Sequence, residues 1–454
     1  MRDVIRQKLA DALAFKPPTF TRRDARVPAI PNKAHAVVGM RRAGKTTFLF
    51  QILADRLAQG TPRESLIYFN FEDERLAGMQ ANQLGWVLEE YFARFPQFRD
   101  QRKVTFFFDE PQVVPGWESF IRRVLDTEKV DLYISGSSAK LLSREIATSM
   151  RGRATETIIH PFSFKEFLRH RHVALPERPN FVPKAERSKL ESAFKEFVRI
   201  GGFPEAQGLN DQDRINLLQG YVDVVLFRDV VERHAITNVP ALRRLVRQLL
   251  STPAGRFSVH RIYNDFRSQG VAIAKDALHR MLDHIEDAFL VQLLPLATTS
   301  ERVRQSNPRK AYPIDAGLIA AFDHSGKSNI GHSLETIVMV ELNRRKIECG
   351  YLATDDGYEV DFSCADHSGK HWLIQVCADL SDKTVRAREF RALHAELKGR
   401  PKARGLLLTS TTTDALISQP EAPSRVHVQP VWEWLLQDGE SIDEGVHRKK
   451  GHKR

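Results

Sequence analysis

One octapeptide constrains this chain of 454 residues more than any other feature. GMRRAGKT, from Gly39 to Thr46, satisfies GxxxxGK[ST] at every required position. It follows an apolar run, HAVVG, and precedes a helical pattern, TTFLFQILADRLA. A glycine-rich turn between a buried strand and a helix turns backbone N–H groups and the positive end of the helix dipole toward one point, an arrangement suited to phosphate. Gly39 and Gly44 let the backbone bend, Lys45 is placed to reach the β- and γ-phosphates of ATP, and the Thr46 hydroxyl to hold Mg2+. Arg41 and Arg42 are unusual inside such a loop. Solvation or a neighbour contact, and a phosphate contact, are both open to them.

The rest of an ATP site follows in order. VTFFFDE is an apolar strand ending in Asp109, which suits the Mg2+ shell, and Glu110, which suits polarising the attacking water. SLIYFNFEDERL supplies a strand between the two motifs, as in P-loop ATPases with an additional catalytic acid, so hydrolysis is expected and not binding alone. DLYISG ends at Ser137 and Ser138, whose hydroxyls could sense the γ-phosphate or simply cap the helix pattern AKLLSREI. Arg151 and Arg153 precede the next strand. One of them could serve as an arginine finger for a neighbouring subunit, or the two could form a surface pair at a helix C-terminus.

Short apolar runs alternate with amphipathic stretches from 35 to 165, which predicts a parallel sheet covered by helices. Residues 1–34 read as a strap, with a short helix and then a Pro-rich approach. An all-helical lid is expected over 166–239. Three helices followed by strands over 240–305 suggest a winged helix, and mixed α/β structure returns over 306–436. A charged tail, 437–454, ends the chain. No apolar run approaches the ~18 residues needed to cross a bilayer, and MRDVIRQKLADALAF is no signal peptide, so a cytoplasmic protein with no membrane association is expected. The 3 cysteines form no CxxC pair, which speaks against a disulfide framework or a zinc knuckle. A net charge of +11 favours nucleic acid as a partner, although part of it lies in the final GVHRKKGHKR.

GMRRAGKTT, YFNFEDERL, FFFDEPQVVPGWE, GGFPEA, KAYPIDAGLIAAF, LETIVMVELNRR and YEVDF together resemble a widespread prokaryotic AAA ATPase family. The resemblance covers nearly the whole chain. It implies an α/β fold: a P-loop ASCE/AAA core with a parallel sheet and helical lid, then a winged helix and an α/β restriction-endonuclease-like, PD-(D/E)xK, domain. Carried over position by position, it gives the ATP site as Gly39, Met40, Arg41, Arg42, Ala43, Gly44, Lys45, Thr46 and Thr47, with Asp109 and Glu110. In the nuclease-like domain Glu335 matches the helix acid, Asp361 the hairpin acid and Gln375 the second hairpin position. Cys377 stands where such sites place a lysine. A neutral thiol supplies no cation, so cleavage is not expected unless Lys383 reaches in.

An ATP- and Mg2+-dependent machine acting on DNA is the expected activity, as a homo-oligomeric ring of six subunits. Lys275, His279 and Arg280 would sit on the polar side of the helix that reads the major groove, although Asp276, Asp283, Glu286 and Asp287 lie close by and the module could also dock a protein partner. The alternatives are a nucleotide-controlled switch in defence or toxin-antitoxin signalling and an ATP-regulated, metal-dependent nuclease.

Overall fold

VTFFFD is apolar at nearly every position, which suits a strand buried on both faces, and the segment Val104–Asp109 is buried throughout. It belongs to the first of two compact units, Met1–His160 with Asp287–Phe289, and Pro161–Glu286 with Leu290–Arg454. The computed structural model describes residues 1–137, 152–323, 329–353, 357–437 and 442.

In chain order the first unit contains α1 (Arg2–Ala14), β1 (Ala34–Val38), α2 (Lys45–Ala58), β2 (Leu66–Asn70), α3 (Trp86–Arg94), β3 (Val104–Asp109), α4 (Trp117–Thr127), β4 (Val130–Gly136) and β5 (Ala154–Ile158). The strands form one parallel sheet in the order β2-β3-β4-β1-β5. The strand read between the two motifs is therefore at the edge. It is β4 that stands between the loop strand β1 and the acid strand β3, which only pairing could reveal. Alternation along β3 divides the core: Phe106 and Phe108 pack with Phe69, Tyr91 and Trp117 on one face, and Phe107 with Phe48, Leu53 and Tyr133 on the other. The register aligns Asn70, Asp109 and Ser135 across three neighbouring strands, bringing polar groups to the C-terminal edge of an otherwise apolar sheet.

The second unit begins with α5 (Phe164–His170), α6 (Lys184–Ile200) and α7 (Asp211–Val224), where an all-helical segment was expected. α7 runs on into a π-helical stretch, Val225–Val231. Then come α8 (Val239–Ser251), β6 (Arg256–Phe257), α9 (Val259–Ser268), α10 (Lys275–Asp287), β7 (Val291–Leu294), α11 (Glu301–Ser306) and β8 (Arg309–Pro313). β8 pairs antiparallel with both β6 and β7. The three-stranded sheet thus extends past the boundary expected at 305, because β8 finds its partners upstream.

After α12 (Ala316–Phe322) and α13 (Ile330–Arg344), strands β9 (Cys349–Ala353), β10 (Glu359–Ala365) and β11 (His371–Cys377) form an antiparallel meander. β12 (Arg404–Thr409) and β13 (Val426–Pro430) add to it in parallel, each reached through a helix, α14 (Lys383–Lys398) and α15 (Thr412–Ser418). α16 (Val431–Leu436) closes the described fold, and its Trp432 and Trp434 are buried.

GGFPEA and KAYPIDAGL have a shared structural explanation. Asp315, fully buried between them, accepts hydrogen bonds from the N–H of Gly202 at 2.7 Å and of Gly317 at 2.9 Å. Gly201 has φ +76°, and a Cβ there would lie 1.8 Å from Asp315 Oδ1, so no side chain fits. Burial, opposed by those two N–H groups, raises the Asp315 carboxyl to about 6. Its folded value exceeds its unfolded one, so the stability it contributes is complete below about pH 4 and is lost as the pH rises through 6. Asp315→Ala is expected to cost about 2–4 kcal/mol by orphaning two buried donors. Denaturant unfolding at pH 5 and pH 8 checks this, and the variant should also lose that part of the wild-type pH dependence.

Candidate nucleotide site and a buried lysine–carboxylate cluster

The loop from Gly39 to Gly44 joins β1 to α2, and its two glycines are held where other residues are strained. Gly39 has φ +145°, and a Cβ on it would come within 2.3 Å of the Ile159 carbonyl oxygen. Gly44, at φ +100°, is the N-cap of α2 and has no side chain of its own to bond the first N–H groups, and such a helix start suits an anion. Lys45 and Met40 are buried, and Lys45 Nζ donates to the Met40 carbonyl oxygen at 3.2 Å. Ala43 is buried, Arg42 is exposed at φ +68°, and Thr47 is half-buried in the first turn of α2. Arg41 pairs with Glu72 at 3.2 Å, a neighbour contact. Arg23, in the strap, is a buried residue that sequence reading passed over. Its guanidinium donates to the Ala43 carbonyl at 2.8 Å and to the His160 carbonyl, bracing the loop from behind.

Asp109 and Thr46 meet, as the motifs predict: Thr46 Oγ1 donates to Asp109 Oδ2 at 2.9 Å. Two unanticipated hydroxyls join them. Tyr68 OH donates to the same oxygen at 2.6 Å, and Ser135 Oγ donates to Oδ1. Burial, then the Asp109 charge, pushes the Tyr68 phenol well above its usual range and keeps it a donor. Ser135 also accepts from the Glu110 N–H at its carbonyl, 3.2 Å, and at Oγ, 3.3 Å. Ser135 thus links the two acids. Ser137, the expected sensor, is buried two residues on, and Ser138 lies outside the described residues. Glu110 is buried at φ +52°, and burial, offset in part by Lys45, raises its pKa. Gln112 Nε2 donates to Glu110 Oε2.

Arg153 precedes β5 and pairs with Asp126, both side chains being largely exposed. Arg151 lies outside the described residues. The cradle that a Cβ would fill, the uncapped helix start and the hydroxyl–carboxylate pair fit a nucleotide with Mg2+, which Lys45, Thr46 and Asp109 would hold.

In the second unit Glu335 on α13, Asp361 on β10 and Gln375 on β11 converge, as the resemblance implies. The Asp361 N–H donates to Gln375 Oε1 at 3.3 Å, and Asp361 Oδ2 accepts from the Val376 N–H at 3.0 Å. The cation, however, comes from neither Cys377 nor Lys383. Burial raises the Cys377 thiol to about 12, so it is neutral, and Lys383 is exposed at the start of α14. Lys310 of β8 fills the cluster instead. It is 3% exposed, with Nζ 3.2 Å from Asp361 Oδ1, 3.4 Å from Glu335 Oε2 and bonded to Glu359. Tyr312 OH donates to Glu335 at 3.2 Å. Burial raises Glu335 to about 8 and, likewise, raises Asp361; burial alone would lower Lys310, but Asp361, Glu335 and Glu359 outweigh it. Among the described residues no group of three or more His, Cys, Asp or Glu side chains is placed to hold a metal ion. No described helix is long and apolar enough to cross a membrane.

Residues 31–168 match an AAA domain family, and residues 191–329 match a domain of unknown function, DUF8612. An uncharacterized protein of Haemophilus influenzae is 27% identical over 351 residues, 77% of this chain and 83% of its own. The structure of AMPPCP-bound DnaA from Aquifex aeolicus aligns over 63% of this chain and 86% of its own at 13% identity, but its TM-score of 0.24 is too low to support an argument. The uncharacterized protein MJ1544 of Methanocaldococcus jannaschii is 34% identical over 421 residues, covering 91% of this chain and 90% of its own. The chain belongs to the family of that archaeal protein and carries an AAA domain at its N-terminal end.

Proposed function

We propose that this protein hydrolyses ATP to drive or control an action on DNA, working as a homo-oligomeric ring of six subunits. The observation that carries the ATPase reading is the convergence of Thr46, Asp109 and Glu110 beside Lys45 at the end of β3. Lys45, at the start of α2, offers an ammonium to the phosphates. Thr46 and Asp109 would hold the metal, and Glu110, enclosed and close to that ammonium, takes a proton from water. Bound Mg2+ would supply positive charge against the phosphate oxygens.

A winged-helix reading is supported by the element order α8, β6, α9, α10, β7, α11, β8 and by Lys275, His279 and Arg280, exposed on α10 opposite buried Leu278 and Leu282. A restriction-endonuclease-like fold is supported by the order α13, β9, β10, β11, α14, β12. Cleavage is not expected, because Lys310 stands where the acids would need a metal. Asp276 and Asp283, also exposed on α10, support the alternative of a nucleotide-controlled switch that recruits a protein.

ATP turnover with duplex, forked and four-way-junction DNA tests the reading. Stimulation of about tenfold or more is expected at low salt and should fade as salt rises. Equal rates with and without DNA would remove the DNA role and favour the switch. The Arg153–Asp126 pair is exposed and so contributes little to the fold. Arg153 can therefore exchange this partner for a neighbour's phosphate. Arg151→Ala/Arg153→Ala is expected to lower turnover by ~10³-fold. Mixing it with Lys45→Ala subunits, which still carry both arginines, should restore part of the activity. No recovery on mixing, or wild-type turnover by the double variant, would sink the shared site.

A further inference from the structure

Gln112 has an arrangement that packing does not explain. It lies in the turn Pro111–Val113 that follows Glu110, and its side chain doubles back, so that Nε2 bonds Glu110 Oε2. Its other polar atom, Oε1, is buried and has no hydrogen-bond partner among the described residues. With Nε2 given to Glu110, the carbonyl oxygen of the same amide points away from that carboxyl. An orphaned buried acceptor costs about 1–3 kcal/mol, and such an atom in a native fold signals a missing donor, commonly water. This one lies beside the residue best placed to act as a base, and Lys45 is the strongest charge acting on that base.

We propose that Gln112 is a water-positioning residue of the ATP site: its Nε2 orients the Glu110 carboxylate, and its Oε1 accepts a hydrogen bond from the attacking water. The inference rests on the ATPase reading and deepens it. Water has two protons, and a single acceptor leaves it free to rotate about one hydrogen bond. Two acceptors fixed to one another set the direction of its lone pair. In the step itself the water oxygen forms a bond to the γ-phosphorus, and the bond from that phosphorus to the bridging oxygen breaks, its electron pair leaving with ADP. One water proton passes to Glu110 and then to solvent. The other stays on the phosphate product, still bonded to Gln112 Oε1. No oxidant, reductant or further reactant is needed.

Loss of Gln112 should show in two ways that loss of packing alone would not. Gln112→Leu, close in size, is expected to lower kcat by about 10–100-fold while the affinity for ATP changes by less than about twofold. The variant should retain bound nucleotide as ATP rather than ADP, read by extracting the nucleotide from the isolated protein. Gln112→Glu keeps an acceptor but loses the Nε2 donor, and its turnover is expected to fall as well. Thermal melting and ATP binding of both variants establish that they fold. Turnover by Gln112→Leu at or above the wild-type rate, or a loss of ATP affinity that parallels the loss of kcat, would overturn the assignment while leaving the ATPase reading intact. A wild-type protein that binds ATP and never turns it over would instead remove the ATPase reading.

Discussion

Glu110→Gln is expected to bind ATP within a few-fold of wild type and to lose about 10²–10⁴-fold in turnover, the usual contribution of a positioned base. Lys45→Ala should do the reverse at the first step, weakening ATP binding by about 10–100-fold through loss of a charge-assisted hydrogen bond worth ~1.5–3 kcal/mol. The division follows from placement. Lys45 lies in the first turn of α2 and donates to the loop carbonyl of Met40, whereas Glu110 follows β3 directly and feels the Lys45 charge from the acid strand. Because burial raises the Glu110 pKa, the wild-type rate should fall on acidification at a higher pH than an ordinary carboxylate would give. The proton-accepting form is present above that pKa and is lost below it. Glu110→Gln should lack this limb. Titration with a fluorescent ATP analogue and phosphate release between pH 5 and pH 8 read both quantities. Equal losses of binding in the two variants would refute separate roles.

The nucleotide cradle was legible because its information is local. Eight consecutive residues specify the turn, the helix start and the ligand groups, and the strands of the first unit announce themselves as short apolar runs bounded by polar turns. Groups that support the cradle from a distance were not legible. Arg23 reaches Ala43 across 20 residues, and Tyr68 reaches Asp109 across 41, through strand pairing that no short window contains. Ser135 was not legible, because its place beside Asp109 follows from the pairing of two strands far apart in sequence. Gln112 was visible within DEPQ, but only the folded turn shows a donor spent on Glu110 and an acceptor left over. In the second unit the acids were legible and the cation was not. Lys310 sits in RKAYP, 25 residues before Glu335 and 51 before Asp361, on a strand paired with β6 and β7. Nothing in its neighbourhood marks it as part of the acid cluster.

That cation carries the largest stability effect expected in the chain. Lys310→Met replaces a buried ammonium with a side chain of similar length, and Glu335, Glu359 and Asp361 are left without their counter-charge. Breaking a buried pair from one side typically costs about 3–5 kcal/mol. Here part of that cost can be avoided by taking up protons, so its pH dependence is diagnostic. In the wild type the Glu335 carboxyl is already raised to about 8, against an unfolded value near 4.5. Its contribution to stability is therefore complete below about pH 4.5 and is lost as pH rises through 8. Lys310 lowers the pKa of both Glu335 and Asp361 in opposition to burial, so its removal must raise them further. The variant should then be closest to wild type near pH 5, where Glu335 is protonated, and least stable at pH 8. Asp361→Asn in the Lys310→Met background should recover part of the loss at pH 8 by removing one unpaired charge, and less at pH 5, because the Asp361 carboxyl is raised. Melting curves of the wild type, both single variants and the double variant at the two pH values complete the cycle. A deficit independent of pH would mean that Lys310 acts through packing alone. A Lys310→Met protein as stable as wild type at pH 8 would mean that the carboxylates do not need it.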